Sequence, residues 1–342
     1  MAEQEQNCLP QVLVLGTPPP GFSILRSQYS HKFHFLSFFK PSELSLHQFL
    51  ASHHRCDPSS ILAILCGAQD PVAGEVLRLL PSLGVVVTTS AGTNHIDLAE
   101  CRRRGILVAG AGGAYSEDVA DVAVGLLIDV FRKISAANRC FLMKSRMQFT
   151  PGDLLLGSKV GGKRVGIIGL GSIGLKTAKR LEAFGCIITY HSRNRKPSIP
   201  YPFYPNILDL ALASDALVLC CALNEQTKHI VNKEVMVALG KEGIIVNVGR
   251  GGLIDEEEMV KCLVGGEIGG AGLDVYENEP LVPQELFDLD NVVLYPHSAA
   301  FTSESIVGVV EVVVQNLEAF FSNKSLVTPP TDRGMCSAFS SS

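Results

Sequence analysis

Tryptophan is absent from the 342-residue chain, and Asp, Glu, Lys and Arg together make up only 18% of it. The first absence leaves aromatic contacts with any ligand to phenylalanine and tyrosine. An excess of basic charge is missing as well. The formal net charge of −5 gives no electrostatic reason to bind nucleic acid or an anionic membrane. No CxxC pair occurs among the ten cysteines, and the adjacent Cys220 and Cys221 form no zinc signature. Several cysteines lie in apolar runs, such as Cys186 in GCIITY and Cys220 in ALVLCCAL, as reduced core thiols do. No metal site is read. No apolar run approaches the roughly 18 residues of a membrane helix. The start, MAEQEQNCLPQ, lacks the basic and apolar regions of a secretory signal. These absences lead us to expect a soluble, cytoplasmic protein.

Apolar residues are plentiful, at 46% of a chain long enough for two domains. Short apolar runs at Val12–Gly16, Ile61–Leu65, Gly84–Thr89 and Gly105–Gly110 read as strands. Helical stretches at Val72–Leu80 and Asp97–Arg104 separate them. Ser116–Ser135 then reads as one long amphipathic helix, with Glu117 and Asp118 in its first turn. Its apolar surface exceeds what one small face needs, so a homodimer is expected. After a glycine-containing linker, Met143–Gly162, a second series begins. Its strands are Arg164–Ile168, Ile187–Tyr190, Ala216–Cys220, Gly243–Val248, Gly269–Asp274 and Val292–Tyr295. Its helices are Gly171–Phe184, Ile207–Ala213, Lys233–Leu239 and Glu256–Gly265, and Glu304–Phe321 follows the sheet.

This rhythm predicts an α/β fold of two Rossmann-like, doubly wound parallel-sheet domains with a cleft between them. The expected boundaries are 1–112 plus 300–328 for a flavodoxin-like substrate domain and 113–299 for a dinucleotide-binding domain. Hinges are expected near Gly110–Gly113 and Ser298–Phe301. Residues 329–342 read as a disordered tail.

Gly169-Leu170-Gly171-Ser172-Ile173-Gly174 is GxGxxG between an apolar strand and a helix. The first glycine permits a tight turn, the second lets backbone approach a pyrophosphate, and the third lets helix and strand pack. The helix N-terminus then favours phosphate. An acidic residue at the end of the next strand would hold a ribose 2′-hydroxyl. The stretch Tyr190–Lys196 has none; it offers three cations, Arg193, Arg195 and Lys196, and Ser192, of which Arg193 and Arg195 suit the 2′-phosphate of NADP and Ser192 can donate to it. NADPH is therefore the expected cofactor. Further on, Arg250, Glu279 and His297 each follow a strand whose carboxyl end faces the same edge of the sheet, and Glu277 rivals Glu279.

The blocks NVGRGG, GGAGLDVYENEP and LYPHSA, with SAGTNHIDL and the glycine motif, resemble the D-isomer-specific 2-hydroxyacid dehydrogenase family from about Val12 to Pro329. Within it, GLGSIGLKTAKRLEAFGCIITYHSRNRKP and GKEGIIVNVGRGGLIDEEEMV resemble plant hydroxypyruvate/glyoxylate reductases of the cytosolic, NADPH-using kind, with the photorespiratory role that implies. The resemblance implies that Arg250 binds and polarises a 2-oxo acid, that His297 donates the proton, and that Glu279, directly before proline, orients His297. It implies cofactor contacts from Cys221, Thr227 and Val248 and a nicotinamide carboxamide contact from Asp274, for which a structural role at a strand end is the alternative. It also implies substrate contacts from the loops holding Cys66, Gly67, Ala91 and Gly92, together with Arg250 and His297. His95 reads as structural. Departures are Ala222, where proline is frequent, and Gly249, where alanine or serine is. Expected chemistry is glyoxylate to glycolate and hydroxypyruvate to D-glycerate. Bulkier aryl-pyruvates such as 4-hydroxyphenylpyruvate, and a nucleotide-sensing corepressor that binds peptides, are the alternatives.

Overall fold

The computed structural model describes residues 9–52, 57–143 and 156–330. The expected tail, apart from Pro329 and Pro330, and most of the expected linker lie outside these residues. The chain divides into two units at Tyr115/Ser116 and Phe301/Thr302. Each divide lies within a few residues of the expected boundary.

The first unit is a five-stranded parallel sheet of β1 (Gln11–Gly16), β2 (His34–Phe39), β3 (Ile61–Cys66), β4 (Val85–Thr88) and β5 (Leu107–Ala109), in the order β2-β1-β3-β4-β5. Its strands β1 and β4 are apolar on both faces because both faces are covered. Leu13, Ile64, Cys66, Val86 and Val108 pack into a core with residues of α2 (Leu46–Ser52), α3 (Gly74–Arg78) and α4 (Leu98–Arg104). Val12, Val14, Leu65, Val85 and Val87 face the other way. They meet Phe22 and Leu25 of α1 (Phe22–Tyr29) and Val310, Val313, Val314 and Leu317 of the returning helix α11 (Ser303–Phe321). Thr302 caps α11 by accepting the Ser305 N–H at 3.0 Å. Strand β2 and helices α1 and α2 escape the sequence pattern. Strand β2 carries His34 and Ser37 in an edge strand, and the two helices are short.

The second unit opens with α5 (Ser116–Arg132) and α6 (Ile134–Met143). Here the single helix expected over Ser116–Ser135 is corrected. It breaks at Lys133, whose φ of 55° is left-handed, and a second helix follows. The Asp129 carboxylate accepts the Ser135 N–H at 2.8 Å and its hydroxyl at 2.6 Å, so it fixes the restart. Most of the apolar surface of α5 is buried within the chain, including Ala123, Leu126, Leu127 and Val130. Gly270 and Gly272 allow that packing, since a Cβ on either would lie 2.8–2.9 Å from Val130 or Leu126.

The sheet of this unit contains β6 (Arg164–Ile168), β7 (Ile187–His191), β8 (Ala216–Leu219), β9 (Ile244–Asn247), β10 (Gly270–Leu273) and β11 (Val292–Leu294), all parallel, in the order β11-β10-β9-β8-β6-β7. Beyond β7 lies one more parallel bridge, Tyr190 to Phe203. The dinucleotide-binding order 3-2-1-4-5-6 is thus present with its third strand reduced to a single bridge. Helices α7 (Ser172–Ala183), α8 (Ile207–Leu212), α9 (Lys233–Leu239) and α10 (Glu256–Val264) connect the strands. Leu217, Leu219, Ile245, Ala271 and Leu273 share one core with Val235 and Met236 of α9 and Met259 and Leu263 of α10. Asn206, Asn232 and Asp255 cap α8, α9 and α10 through their side-chain oxygens. Since every strand is parallel, all six carboxyl ends share one edge of this sheet.

Candidate active site

At the end of β6, each glycine of the motif has its own physical reason. Gly169 has φ +93°, and a Cβ there would lie 2.5 Å from the backbone of Cys221. A Cβ on Gly174 would lie 2.2 Å from the Gly169 carbonyl oxygen, so this glycine lets α7 close onto β6. Gly171 has ordinary negative φ, and among the described residues nothing lies within 4 Å of where its Cβ would be. No packing among those residues explains that glycine; room for a ligand to approach its backbone does. Gly171 caps α7 without a side-chain bond, and the first turn, with Ser172, Ile173 and Gly174, carries no acid. This surround fits a bound pyrophosphate.

The loop after β7 carries Ser192, Arg193 and Arg195. Both arginines are exposed, and neither pairs with a carboxylate among the described residues. Ser192 Oγ donates to the Asn194 carbonyl at 2.7 Å. Lys196, counted as a cation in the sequence but given no place in the site, donates its Nζ to the Leu170 carbonyl within the glycine motif. Its N–H also reaches the Tyr190 hydroxyl at 2.9 Å, so the basic loop is fastened to the phosphate loop. After β8, half-buried Cys221 backs Gly169. The Thr227 hydroxyl donates to the Ala222 carbonyl at 2.7 Å and accepts the Asn224 N–H at 2.8 Å, which holds this turn closed. Val248 is buried at the end of β9.

The carboxyl ends of the neighbours β9, β10 and β11 carry Arg250, the Asp274–Glu279 turn and His297. His297 Nδ1 lies 2.7 Å from Glu279 Oε2, and Glu279 Oε1 accepts the Tyr276 N–H at 3.0 Å. Burial pushes the Glu279 carboxyl up. The His297 ring, the Tyr276 N–H and the Arg250 charge outweigh it and hold the group below the usual carboxylate range. Burial also pulls the Arg250 guanidinium below its ordinary value, against the opposing pull of Glu279 and Asp274. Arg250 donates to the Gly249 carbonyl at 2.7 Å, and its own carbonyl is held by Asn247 Nδ2 at 2.9 Å. Asp274 is buried and lifted to about 6, chiefly by burial, although it accepts the Ser298 and Ala299 N–H groups at 2.8 and 3.3 Å. Those bonds tie β10 to the chain just beyond His297.

Glu277 goes elsewhere. Its Oε1 lies 2.7 Å from His229 Nε2, which leaves Glu279 as the partner of His297. Two glutamates two residues apart do not reveal which faces which histidine. Asn247, Tyr276 and His229 also escaped the sequence, because their roles run through side-chain or backbone bonds that no spacing announces.

In the first unit, Cys66 is buried at the end of β3, and Gly67 follows it. Ala91 is exposed, and Gly92 donates its N–H to Ser90 Oγ at 3.2 Å. His95 Nε2 lies 3.0 Å from Thr88 Oγ1 and 3.8 Å from Cys66 Sγ, binding the ends of β3 and β4 as a structural residue would. Among the described residues, no group of three His, Cys, Asp or Glu side chains could hold a metal ion, and no helix is long and apolar enough to cross a membrane.

A parallel sheet with a phosphate-fitting glycine turn, beside a carboxylate-bound imidazole and a guanidinium, defines a dinucleotide-dependent oxidoreductase of carbonyl or hydroxyl groups. The family described as D-isomer specific 2-hydroxyacid dehydrogenase, NAD binding domain, matches residues 124–299. A glyoxylate/hydroxypyruvate reductase of Arabidopsis thaliana is 54% identical over 96% of this chain and 99% of its own length. A hydroxyphenylpyruvate reductase of Plectranthus scutellarioides is 45% identical over 79% of this chain and 85% of its own length. The crystal structure of an NADPH-dependent glyoxylate/hydroxypyruvate reductase from Sinorhizobium meliloti, in complex with NADP and malonate, superposes with a TM-score of 0.82 at 31% identity. It covers 96% of this chain and 98% of that one. The chain belongs to the D-isomer specific 2-hydroxyacid dehydrogenase family.

Proposed function

We propose that this enzyme reduces glyoxylate to glycolate and hydroxypyruvate to D-glycerate with NADPH. The observation that carries this is the 2.7 Å pairing of His297 Nδ1 with Glu279 beside Arg250. Bound at the glycine turn, NADPH would supply the hydride to the carbonyl carbon. Arg250 would hold the substrate carboxylate and draw charge onto the carbonyl oxygen, as a planar cation does well. With Nδ1–H directed at Glu279, His297 turns Nε2 to the substrate, and its proton goes to the carbonyl oxygen as the C–H bond forms. Glu279 orients the ring and stabilises its charged form. Asp274 is proposed to meet the nicotinamide carboxamide, and Cys221, Thr227 and Val248 to flank the cofactor. The assignment of Cys66, Gly67, Ala91 and Gly92 to substrate contact belongs to the same proposal.

The preference for NADPH rests on Arg193 and Arg195, exposed and without a carboxylate partner among the described residues, next to Ser192. The similar protein solved with NADP supports it. The homodimer expected from the apolar surface of Ser116–Ser135 loses that ground, since α5 is mostly buried within the chain; it is proposed instead through α6, where Ile134, Phe141 and Leu142 are each more than half exposed. Cytoplasmic placement and a photorespiratory role are proposed on the resemblance of the sequence blocks to cytosolic plant reductases alone.

Initial rates with glyoxylate, hydroxypyruvate and 4-hydroxyphenylpyruvate, each with NADPH and NADH, test the proposal. We expect faster turnover of the two small acids, and with NADPH. Equal or better rates with NADH would overturn the cofactor assignment. A preference for the aryl-pyruvate would favour the function named for the Plectranthus relative instead.

A further inference from the structure

The peptides on either side of Tyr276 each give their N–H to a carboxylate. The Tyr276 N–H goes to Glu279 Oε1 at 3.0 Å, and the Glu277 N–H to Glu256 Oε2 at 3.0 Å. A Cβ on Gly251 would lie 1.9 Å from the Tyr276 carbonyl, so the backbone just after Arg250 presses directly on the Tyr276–Glu277 peptide. The Glu277 side chain reaches His229 Nε2 at 2.7 Å.

His229 sits on a different element, the loop between β8 and α9, in the left-handed region at φ 50°. Its N–H donates to the Gly252 carbonyl at 2.8 Å, and the next residues continue the pairing. The Val231 N–H goes to Leu253 O at 3.0 Å, and the Asp255 N–H to Val231 O at 3.1 Å. The backbone of His229 therefore grips the turn that carries Arg250, while its ring grips the turn that carries Glu279. A residue needed only to cap this loop could do so with its backbone. The ring bridges to a carboxylate two positions from the partner of the proton donor.

We infer that His229 is a positioning residue for the Glu279–His297 pair, acting through Glu277 to hold the turn whose Tyr276 N–H binds Glu279. This inference rests on the proposed reductase function. Groups charged or titratable around Glu279 are His297, Arg250 and Glu256, reaching it from three other parts of the second unit, and Asp274 and Tyr276 of its own turn. Among the influences that keep its carboxyl below the usual range is the Tyr276 N–H bond. Loosening the turn weakens that bond and lets the carboxyl rise, so the acid side of the rate profile moves to higher pH.

Wild type, His229→Leu and His229→Gln are compared for NADPH affinity by cofactor fluorescence, for thermal midpoint, and for kcat and KM with hydroxypyruvate between about pH 5 and 9. Leucine keeps bulk without a donor; the glutamine amide restores a donor to Glu277. For His229→Leu we expect kcat to fall by about tenfold, with NADPH affinity and KM within about threefold of wild type. Its acid limb moves up in pH. In His229→Gln most of the rate and the original limb return. Unchanged kcat and acid limb in His229→Leu, failure of glutamine to rescue, or an equal loss of NADPH affinity would each overturn the inference. A wild-type enzyme inactive on every oxo acid would remove the proposed function along with it, whereas an active wild type with an unaffected leucine variant removes the inference alone.

Discussion

Alanine at each glycine of the phosphate turn separates glycines that the fold requires from one that a ligand requires. At Gly169, alanine meets a left-handed φ of +93°, costing about 1–2 kcal/mol. It also meets the Cys221 backbone at 2.5 Å, adding about 1–3 kcal/mol of overpacking. At Gly174 the clash is with the Gly169 carbonyl at 2.2 Å, of the same order. A loss near 3 kcal/mol in a unit of this size lowers the thermal midpoint by roughly 6–12 °C. At Gly171 the backbone is ordinary and the space open. Reduced unfolded-state freedom favours alanine there by about 0.4–1 kcal/mol, and its poorer capping of α7 offsets much of this. Gly171→Ala should therefore melt within about 3 °C of wild type. Its NADPH affinity should still fall by roughly tenfold to a hundredfold, because the methyl occupies the approach of the pyrophosphate. Thermal melts and cofactor fluorescence titrations on the three variants decide it. Undiminished affinity in Gly171→Ala, or a melt as low as that of Gly169→Ala, would refute the reasoning.

Replacing both Arg193 and Arg195 by alanine should raise KM for NADPH by about tenfold or more while changing KM for NADH less than about twofold, as paired initial-rate series would report. For Asp274, the folded-state value of about 6 exceeds the ordinary 3.8. Its contribution to stability is therefore present below the ordinary value and lost as pH rises through about 6. Asp274→Asn should gain on wild type by about 2 kcal/mol between pH 4 and pH 8, read from denaturant midpoints at the two pH values. Glu279 has the opposite sign. Its carboxyl is held low, so the bond to His297 persists at neutral pH and is lost as pH falls through the folded-state value. Glu279→Gln should cut kcat by about tenfold near neutrality while leaving NADPH affinity unchanged.

Much of this architecture is legible in the sequence because parallel strands covered on both faces read as unbroken apolar runs, as at Val12–Gly16 and Ala216–Cys220. The exceptions have local causes. Strand β2 alternates at an edge, and the third strand of the dinucleotide-binding sheet survives only as the Tyr190–Phe203 bridge. The break at Lys133 is invisible because α6 continues with residues compatible with helix, such as Ile134 and Phe141. At the site, strand ends announced Arg250, Glu279 and His297, since a parallel sheet gathers its carboxyl ends on one edge. Between Glu277 and Glu279, residue types alone leave a rivalry that the family motif resolves toward the glutamate before proline; the distances then give each glutamate a histidine of its own. Asp274 showed its position at a strand end but not its burial or its hold on Ser298 and Ala299.

The most direct test of proton donation by His297 is a single-turnover comparison of wild type and His297→Gln with saturating NADPH and hydroxypyruvate, alongside NADPH affinity measured on the same samples. We predict that hydride transfer slows by at least about a hundredfold with affinity unchanged within about twofold. A slowing of less than about tenfold would contradict the role assigned to His297.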